Sequence, residues 1–175
     1  QIMLSMKGDA CVSMTVRWRT DVKFNEGYAL CREKGTDEWK RFDAVTETFA
    51  SDMDTSTIYW ADFTGLKPDT EYEYNCGNDE YRSENYCFRT APENLEHFKF
   101  LCLADIQTGD AEPPADYSGL NSFLKETLKK HPDVRFILTA GDNTNCGQTD
   151  IQWTGVLEGM KGIAEHLPLM MSMGN

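Results

Sequence analysis

The apolar residues of this chain follow two different periodicities, and the change between them limits the folds that the chain can adopt. In the first part they alternate with polar residues, as Met14, Val16 and Trp18 do in "CVSMTVRWRT". This period of two is typical of a strand with one buried face. The later part contains continuous apolar runs separated by helical patterns. We therefore predict two domains, residues 1–91 and residues 97–175.

Short segments in which apolar and polar residues alternate recur along the first domain, separated by turns rich in Gly, Asp, Asn and Lys. They cover residues 11–20, 27–33, 39–49, 56–63, 72–76 and 85–90. Several short strands at such spacing predict an antiparallel β-sandwich.

One turn of this domain, in the run "DFTGLKPDTEYEYNC", is more specific. Pro68 restricts the turn, and Tyr72 begins the next strand on its inward face. A buried tyrosine hydroxyl needs a hydrogen-bond partner, and we expect a nearby backbone group to supply it, as in a tyrosine corner.

The second domain alternates strands and helices. The runs "FKFLCLA", "VRFILTA" and "LPLMMSM" predict strands that are covered on both faces. A polar loop at residues 108–119 follows the first run, and Asp150 is the expected N-cap of the second helix. The helical stripes between the runs are Leu120, Phe123, Leu124 and Leu128, then Trp153, Val156, Leu157, Met160 and Ala164. This order predicts a parallel sheet.

A hard oxygen donor follows each of the three predicted strands. Asp105 follows the first, Asp142 the second and Asn175 the third, at spacings of 37 (142 minus 105) and 33 (175 minus 142) residues. Functional groups of parallel α/β sheets gather at the carboxyl ends of the strands. Two close carboxylates repel each other unless a cation lies between them. The pattern therefore predicts a metal site.

These motifs, "ADIQ", "GDNTN" and "GN" in this order, resemble the D-x-H/Q, G-D-x-x-[DN] and G-N-H-[DE] motifs of the calcineurin-like metallophosphoesterases. The "GLKPDTEY" run resembles a fibronectin type III domain, and such a domain ahead of the catalytic one is the layout of purple acid phosphatases. The resemblance implies a multidomain chain, in which an all-β fibronectin type III-like sandwich precedes the first half (βαβαβ) of an α/β metallophosphoesterase domain. We expect the rest of that domain, including the His that serves as general acid, to lie beyond Asn175.

The resemblance also implies roles for individual residues. Asp105 matches a ligand of the first metal, Asp142 the carboxylate that bridges two metals, and Asn175 a ligand of the second. Gln107 stands where many members have a His ligand. Asn145 stands where purple acid phosphatases have the tyrosine that gives them their colour, so we expect it only to support the ligands from outside and expect no purple iron centre. The implied cofactors are two divalent ions, with Mn, Fe, Zn and Mg all open.

The implied activity is hydrolysis of phosphate esters by the longer parent protein, with this chain alone nearly inactive. The alternative is a surface-binding or adhesion module with a degenerate phosphoesterase domain. An aspartyl-nucleophile phosphatase would need a second Asp at Gln107, and no G-x-G-x-x-G motif for a dinucleotide follows the first strand. His97, His131 and His166 fit no motif, and Cys146 is not needed as a nucleophile.

Charge and cysteine content limit the partners. The net charge of −12 disfavours nucleic acid, and no apolar run is long enough to span a membrane. We expect self-association through apolar surface that the half-domain leaves exposed. The six cysteines leave the compartment open, although the domain layout favours a secreted or cell-envelope location. A disulfide between Cys76 and Cys87, which flank a predicted hairpin, is one alternative, and free thiols are the other.

Overall fold

A computed structural model describes residues 1–20, 24, 26–108 and 116–174. Within these residues eleven strands and two helices form. The strands are β1 (Ile2–Ser5), β2 (Ser13–Thr20), β3 (Tyr28–Glu33), β4 (Lys40–Asp43), β5 (Val45–Ala50), β6 (Thr55–Thr64), β7 (Glu71–Gly77), β8 (Tyr86–Arg89), β9 (Lys99–Leu103), β10 (Val134–Thr139) and β11 (Leu169–Met171). The helices are α1 (Ser118–Lys130) and α2 (Asp150–Gly159). In the described part of the chain, no helix is long and apolar enough to cross a membrane.

The first eight strands form two antiparallel sheets around one core. Among the described residues their orders are β1-β2-β6-β5 and β4-β3-β7-β8. The inward side chains of both sheets are buried, including Leu4, Val16, Tyr59, Phe63 and Tyr74. Period-two alternation thus produces two half-buried sheets that share an apolar interior. The prediction of a β-sandwich is confirmed.

Two details of the sandwich differ from the prediction. The expected single strand at residues 39–49 is two strands, because the chain leaves β4 in one sheet and enters β5 in the other. Ala44 lies at this crossing, where its backbone N–H donates to the Gly27 carbonyl at 2.9 Å. Strand β1 was not predicted. It pairs with β2 in antiparallel register, so that Leu4 lies opposite Val16.

The tyrosine corner is present as expected. Tyr72 is 6% exposed, and its hydroxyl oxygen accepts a hydrogen bond from the backbone N–H of Lys67 at 2.8 Å. The bond closes the turn that holds Pro68 and satisfies a polar group that the core would otherwise leave without a partner.

All six cysteines are among the described residues and carry free thiols, so the disulfide alternative is wrong. Tyr72 lies opposite Phe88 in the β7–β8 pair, and the buried face that they share also contains Cys76. Cys87 lies opposite Glu73, one residue out of phase, and therefore faces the other side of the sheet. Burial raises the pKa of the Cys76 thiol to about 12.

The last three strands form a parallel sheet in the order β11-β10-β9, within the described residues. The prediction of a parallel sheet joined by helices is confirmed. Leu101, Ile137 and Leu169 lie side by side in register on one face. They pack in one cluster with Leu124 of α1 and with Met160, which follows α2.

The opposite face of this sheet is open, so the prediction that these strands are covered on both sides is wrong. Phe98 is 54% exposed and Phe100 is 43% exposed, and the Phe100 ring stacks on Phe136 at 5.0 Å. α1 and the segment after α2 cover the other face. The open face is apolar, as the prediction of self-association requires, but self-association itself stays a prediction.

The helices differ from prediction at three points. Phe123 is 57% exposed although it belongs to the expected apolar stripe of α1. Thr149 is the N-cap of α2, and Asp150 is its first helical residue. α2 ends at Gly159, so that Ala164 lies in the turns beyond it. Most of the predicted loop between β9 and α1 lies outside the described residues.

The parallel sheet and its helices dock directly on the sandwich. The backbone N–H of Leu4 donates to the Ala164 carbonyl at 2.8 Å, and the buried Tyr74 hydroxyl donates to the Glu165 carbonyl at 2.7 Å. His166 Nδ1 lies 2.8 Å from the carbonyl oxygen of Cys87. These contacts give His166 a structural role at the junction, as its lack of a motif suggested.

Candidate metal centre

The segments that follow β9 and β10 run side by side beyond the sheet. The backbone N–H of Asp105 donates to the Gly141 carbonyl at 3.4 Å, and that of Gln107 donates to the Asp142 carbonyl at 3.2 Å. Asp105 and Asp142 are separated by 37 residues in the chain, so the parallel pairing of their strands brings them together. Three of the predicted ligands thus lie on neighbouring segments at one end of the sheet.

Asp105 and Asp142 both adopt left-handed backbone conformations, with φ of 53° and 49°. Residues other than glycine rarely do so, although aspartate tolerates it better than most. Asp69 also has a positive φ, of 48°, but it lies in a turn where its carboxylate accepts from Arg89. Positive φ alone therefore does not mark function. What distinguishes Asp105 and Asp142 is that they lie together, and strained residues cluster at functional sites.

Two glycines allow the chain to pack closely around Asp142. Gly141 has φ of +105°, and a Cβ atom there would lie 2.8 Å from the Cα of Gly174. A Cβ atom on Gly174 would overlap the carboxylate and the backbone nitrogen of Asp142. The segment after β11 thus passes directly against Asp142. Asn175, the fourth predicted ligand, lies outside the described residues.

Gln107 presents an oxygen that needs a partner. Its side-chain Oε1 is buried and accepts no hydrogen bond from any described residue. A buried polar atom without a partner costs free energy, on the order of 1–3 kcal/mol. An amide oxygen is a hard ligand of the kind that divalent cations accept in proteins. The chemistry of Gln107 therefore fits a place beside a metal ion.

Asn143 is a site residue that the sequence reasoning missed. It is 3% exposed, its side-chain amide donates to the Ser172 carbonyl at 2.9 Å, and its own carbonyl accepts from Tyr117 at 3.1 Å. These bonds connect the ends of β10 and β11 with the start of α1. The available signal was its position directly after Asp142 in "GDNTN".

Asn145 and Cys146 lie exposed on the loop between β10 and α2. A hydrogen bond with Thr149 lowers the pKa of the Cys146 thiol. Among the described residues, no group of three or more His, Cys, Asp or Glu side chains is placed to hold a metal ion. The described part of the site thus contains two carboxylates and one amide oxygen, which is a sparse ligand set.

Known proteins resemble this chain in sequence over its first domain and in fold over nearly its whole length. The family model described as "Purple acid Phosphatase, N-terminal domain" matches residues 1–90. No curated protein matches the chain in sequence. Purple acid phosphatase PPD1 from yellow lupin (Lupinus luteus) seeds superposes on 99% of this chain with a TM-score of 0.79 and 20% identity. PhoD superposes on 99% of it with a TM-score of 0.63 and 10% identity.

At these identities the two structures show a shared fold. The chain covers 34% of the lupin protein and 38% of PhoD, so it spans about a third of the length of each. The family model, in contrast, covers more than half of the 175 residues. The chain therefore belongs to the family of proteins that carry the N-terminal domain of purple acid phosphatases.

Proposed function

We propose that the protein containing this chain is a phosphoric ester hydrolase, a metallophosphoesterase with two divalent metal ions. Its family and its likeness in fold to a purple acid phosphatase support this class of activity. The activity is proposed for the longer parent, because the chain spans about a third of the matched structures. The substrate type, whether monoester, diester or nucleotide, is left open.

The observation that carries the proposal is the meeting of the β9 and β10 ends. There two aspartates with left-handed backbones lie on paired segments with Gln107, whose buried Oε1 accepts no hydrogen bond from the described residues. A cation between the carboxylates would relieve their repulsion and satisfy this oxygen. Asp105 would bind one ion, Asp142 would bridge both, and Asn175 would bind the second.

Two divalent ions, when bound, would lower the pKa of a water molecule and would neutralise the charge that develops on the phosphoryl group. The chain's own residues hold that site in shape. The glycines at 141 and 174 let the backbone approach Asp142, and Asn143 fixes the loop that carries Asn145. We propose that Asn145 supports the ligands from outside the metal coordination. No tyrosine stands there, so we expect no purple iron centre.

The finer assignments of the fold belong to this proposal. We propose residues 1–91 as a fibronectin type III-like module, supported by the hydrogen bond between Lys67 and Tyr72. We propose residues 97–175 as the first half of the catalytic domain, supported by its three parallel strands in the described residues. A secreted or cell-envelope location fits this layout.

Manganese binding to the 175-residue chain tests the ligands. Asp142→Asn and Asp105→Asn should each weaken Mn²⁺ binding about tenfold, since each removes one carboxylate charge. Asp133→Asn is the matched control, because Asp133 directly precedes β10 at the opposite end of the strand and pairs with Lys99. Calorimetry that finds equal Mn²⁺ affinity in all four proteins would refute the assignment.

Turnover of p-nitrophenyl phosphate and bis(p-nitrophenyl) phosphate tests the activity. The longer parent should hydrolyse at least one of them with Mn²⁺, and a chelator should abolish the reaction. The 175-residue chain should be nearly inactive, because the expected His ligands and the general acid are not among its residues. A parent without metal-dependent turnover would overturn the hydrolase proposal and favour the binding-module alternative.

A further inference from the structure

The hairpin formed by β5 and β6 of the sandwich reaches the start of α2. The backbone N–H of Asp150, the first residue of α2, donates to Asp52 Oδ1 at 2.8 Å, although the two residues are 98 positions apart in the chain. Thr149, the N-cap of α2, makes no side-chain hydrogen bond to the helix. The first N–H groups of a helix need acceptors from outside it. A carboxylate of the sandwich therefore serves as a cap for α2.

The hairpin turn that carries this carboxylate is held by its own hydrogen bonds. The Ser51 hydroxyl oxygen accepts from the backbone N–H groups of Met53 and Asp54, at 3.2 and 3.1 Å. The backbone N–H of Ser51 donates to the Asp54 carbonyl at 2.9 Å. Arg19 joins the turn to α2, because its guanidinium donates to the carboxylates of both Asp54 and Asp150. The turn therefore presents the capping carboxylate at a fixed position on the end of the helix.

The first turn of α2 holds the loop that leads away from the proposed metal centre. Gln152 is 2% exposed, and its side-chain Oε1 accepts from the backbone N–H of Cys146 at 2.8 Å. The indole N–H of Trp153 donates to the Gly147 carbonyl at 2.9 Å. The loop, residues 142–149, lies wholly within the described part of the chain and contains no strand or helix of its own. Side chains of α2 therefore help to determine its path.

These contacts form a continuous connection from the sandwich to the proposed metal centre. Asp52 caps α2, the first turn of α2 holds the loop, and the loop begins with Asp142, the predicted bridging ligand. A negative charge at the N-terminus of a helix is also favoured by the helix dipole. Loss of the cap should let the first turn of α2 open more often, and Gln152 would then release the loop.

We propose that the sandwich supports the metal centre from outside, with Asp52 as a positioning residue that acts through α2. This gives the first domain a part in the function of the second. The effect on metal binding rests on the proposed function, whereas the connection between Asp52 and the loop does not. The two parts of the inference are therefore tested by separate measurements.

Amide hydrogen exchange of the metal-free 175-residue chain, followed by NMR, tests the connection. Asp52→Ala should accelerate exchange of the Cys146 amide about fivefold, as loss of one helix cap commonly does to a local opening equilibrium. Asp52→Asn keeps an acceptor oxygen without the charge and should stay within about twofold of the wild type. Glu47→Ala removes an exposed carboxylate of β5 and should match the wild type. Amides of β2, in the interior of its sheet, should exchange equally in all four proteins, which separates local opening from global unfolding.

Calorimetry with Mn²⁺ tests whether the connection reaches the metal centre. Asp52→Ala should weaken binding about threefold, and Asp52→Asn and Glu47→Ala should bind as the wild type does. The positioning role is overturned if the Cys146 amide exchanges equally in Asp52→Ala and Glu47→Ala, if Asp52→Asn exchanges as fast as Asp52→Ala, or if the amides of β2 accelerate by the same factor. It is also overturned if exchange changes while Mn²⁺ affinity does not. A wild-type chain that binds no Mn²⁺ would instead contradict the proposed metal centre, and the exchange rates alone would then decide whether Asp52 holds the loop.

Discussion

Arg19 connects the sandwich to α2 through a set of charged hydrogen bonds that are largely shielded from water. Its guanidinium donates to both carboxylate oxygens of Asp150, at 2.7 and 3.2 Å, and to Asp54 at 2.8 Å. Its Nε donates to the Ser56 hydroxyl at 2.6 Å. The side chains of Arg19 and Asp150 are 16% and 10% exposed. The hydrogen bond to Asp150 is the main reason that the pKa of Arg19 is raised.

Arg19→Met keeps much of the side-chain volume and leaves the Asp150 carboxylate buried without its cation. Removing one partner of a buried ion pair costs about 3–5 kcal/mol. The backbone N–H groups at the start of α2 partly offset the stranded charge. We therefore expect the free energy of unfolding to fall by about 3 kcal/mol.

Urea unfolding followed by tryptophan fluorescence measures this change. The double variant Arg19→Met with Asp150→Leu should recover about 2 kcal/mol of the loss, because it removes the stranded charge as well. Lys99→Met is the control, because the pair of Lys99 with Asp133 is 60% and 55% exposed and should contribute less than about 1 kcal/mol. If Arg19→Met costs no more than Lys99→Met, the reasoning is refuted and the docking does not depend on this pair.

Three further substitutions or reactions follow from the structure. Gly141→Ala should destabilise the chain by about 2 kcal/mol or more and weaken Mn²⁺ binding, because φ is +105° and the new Cβ would lie 2.8 Å from a backbone Cα atom. Urea unfolding and calorimetry that show no change would contradict this prediction. Tyr72→Phe should cost about 1 kcal/mol in urea unfolding, because the backbone N–H of Lys67 loses its acceptor, and an unchanged midpoint would speak against the corner. Cys146 should react with iodoacetamide before Cys31 does at pH 7.5. The hydrogen bond with a neighbouring threonine lowers the pKa of the Cys146 thiol, whereas burial raises the pKa of the Cys31 thiol to about 12. Peptide mass spectrometry that finds Cys31 alkylated first in the folded protein would refute this order.

Local pattern was sufficient wherever one physical requirement dominated. Alternation in the first domain predicted the sandwich, because a strand whose apolar residues recur with a period of two must bury one face. Tyr72 needed a donor or acceptor in the core, and the neighbouring turn supplied one. The order of strands and helices predicted a parallel sheet whose ends bring Asp105 and Asp142 together. Asn175 lies outside the described residues, so its part in the site stays a prediction.

Features that depend on which surfaces pack together could not be predicted from the local sequence pattern. An apolar run such as the one around Phe100 does not reveal whether one or both faces of its strand are covered. Aspartate is a residue type that often caps helices. Asp150 instead forms an ion pair with Arg19, which lies far from it in the chain and close to it in the fold. Cys76 and Cys87 are close along a hairpin, yet the pleat turns them to opposite faces.

The sequence by itself therefore determined the succession of strands and helices and the residue types at the strand ends, because these follow from periodicity and chain order. Only the tertiary structure decided the left-handed backbones at the two aspartates, the burial of Gln107 Oε1 and the hydrogen bond that joins the Tyr74 hydroxyl to the Glu165 carbonyl. Each of these arises from contacts between residues far apart in the chain. The geometry and burial of such contacts are set by packing, which a one-dimensional pattern does not encode.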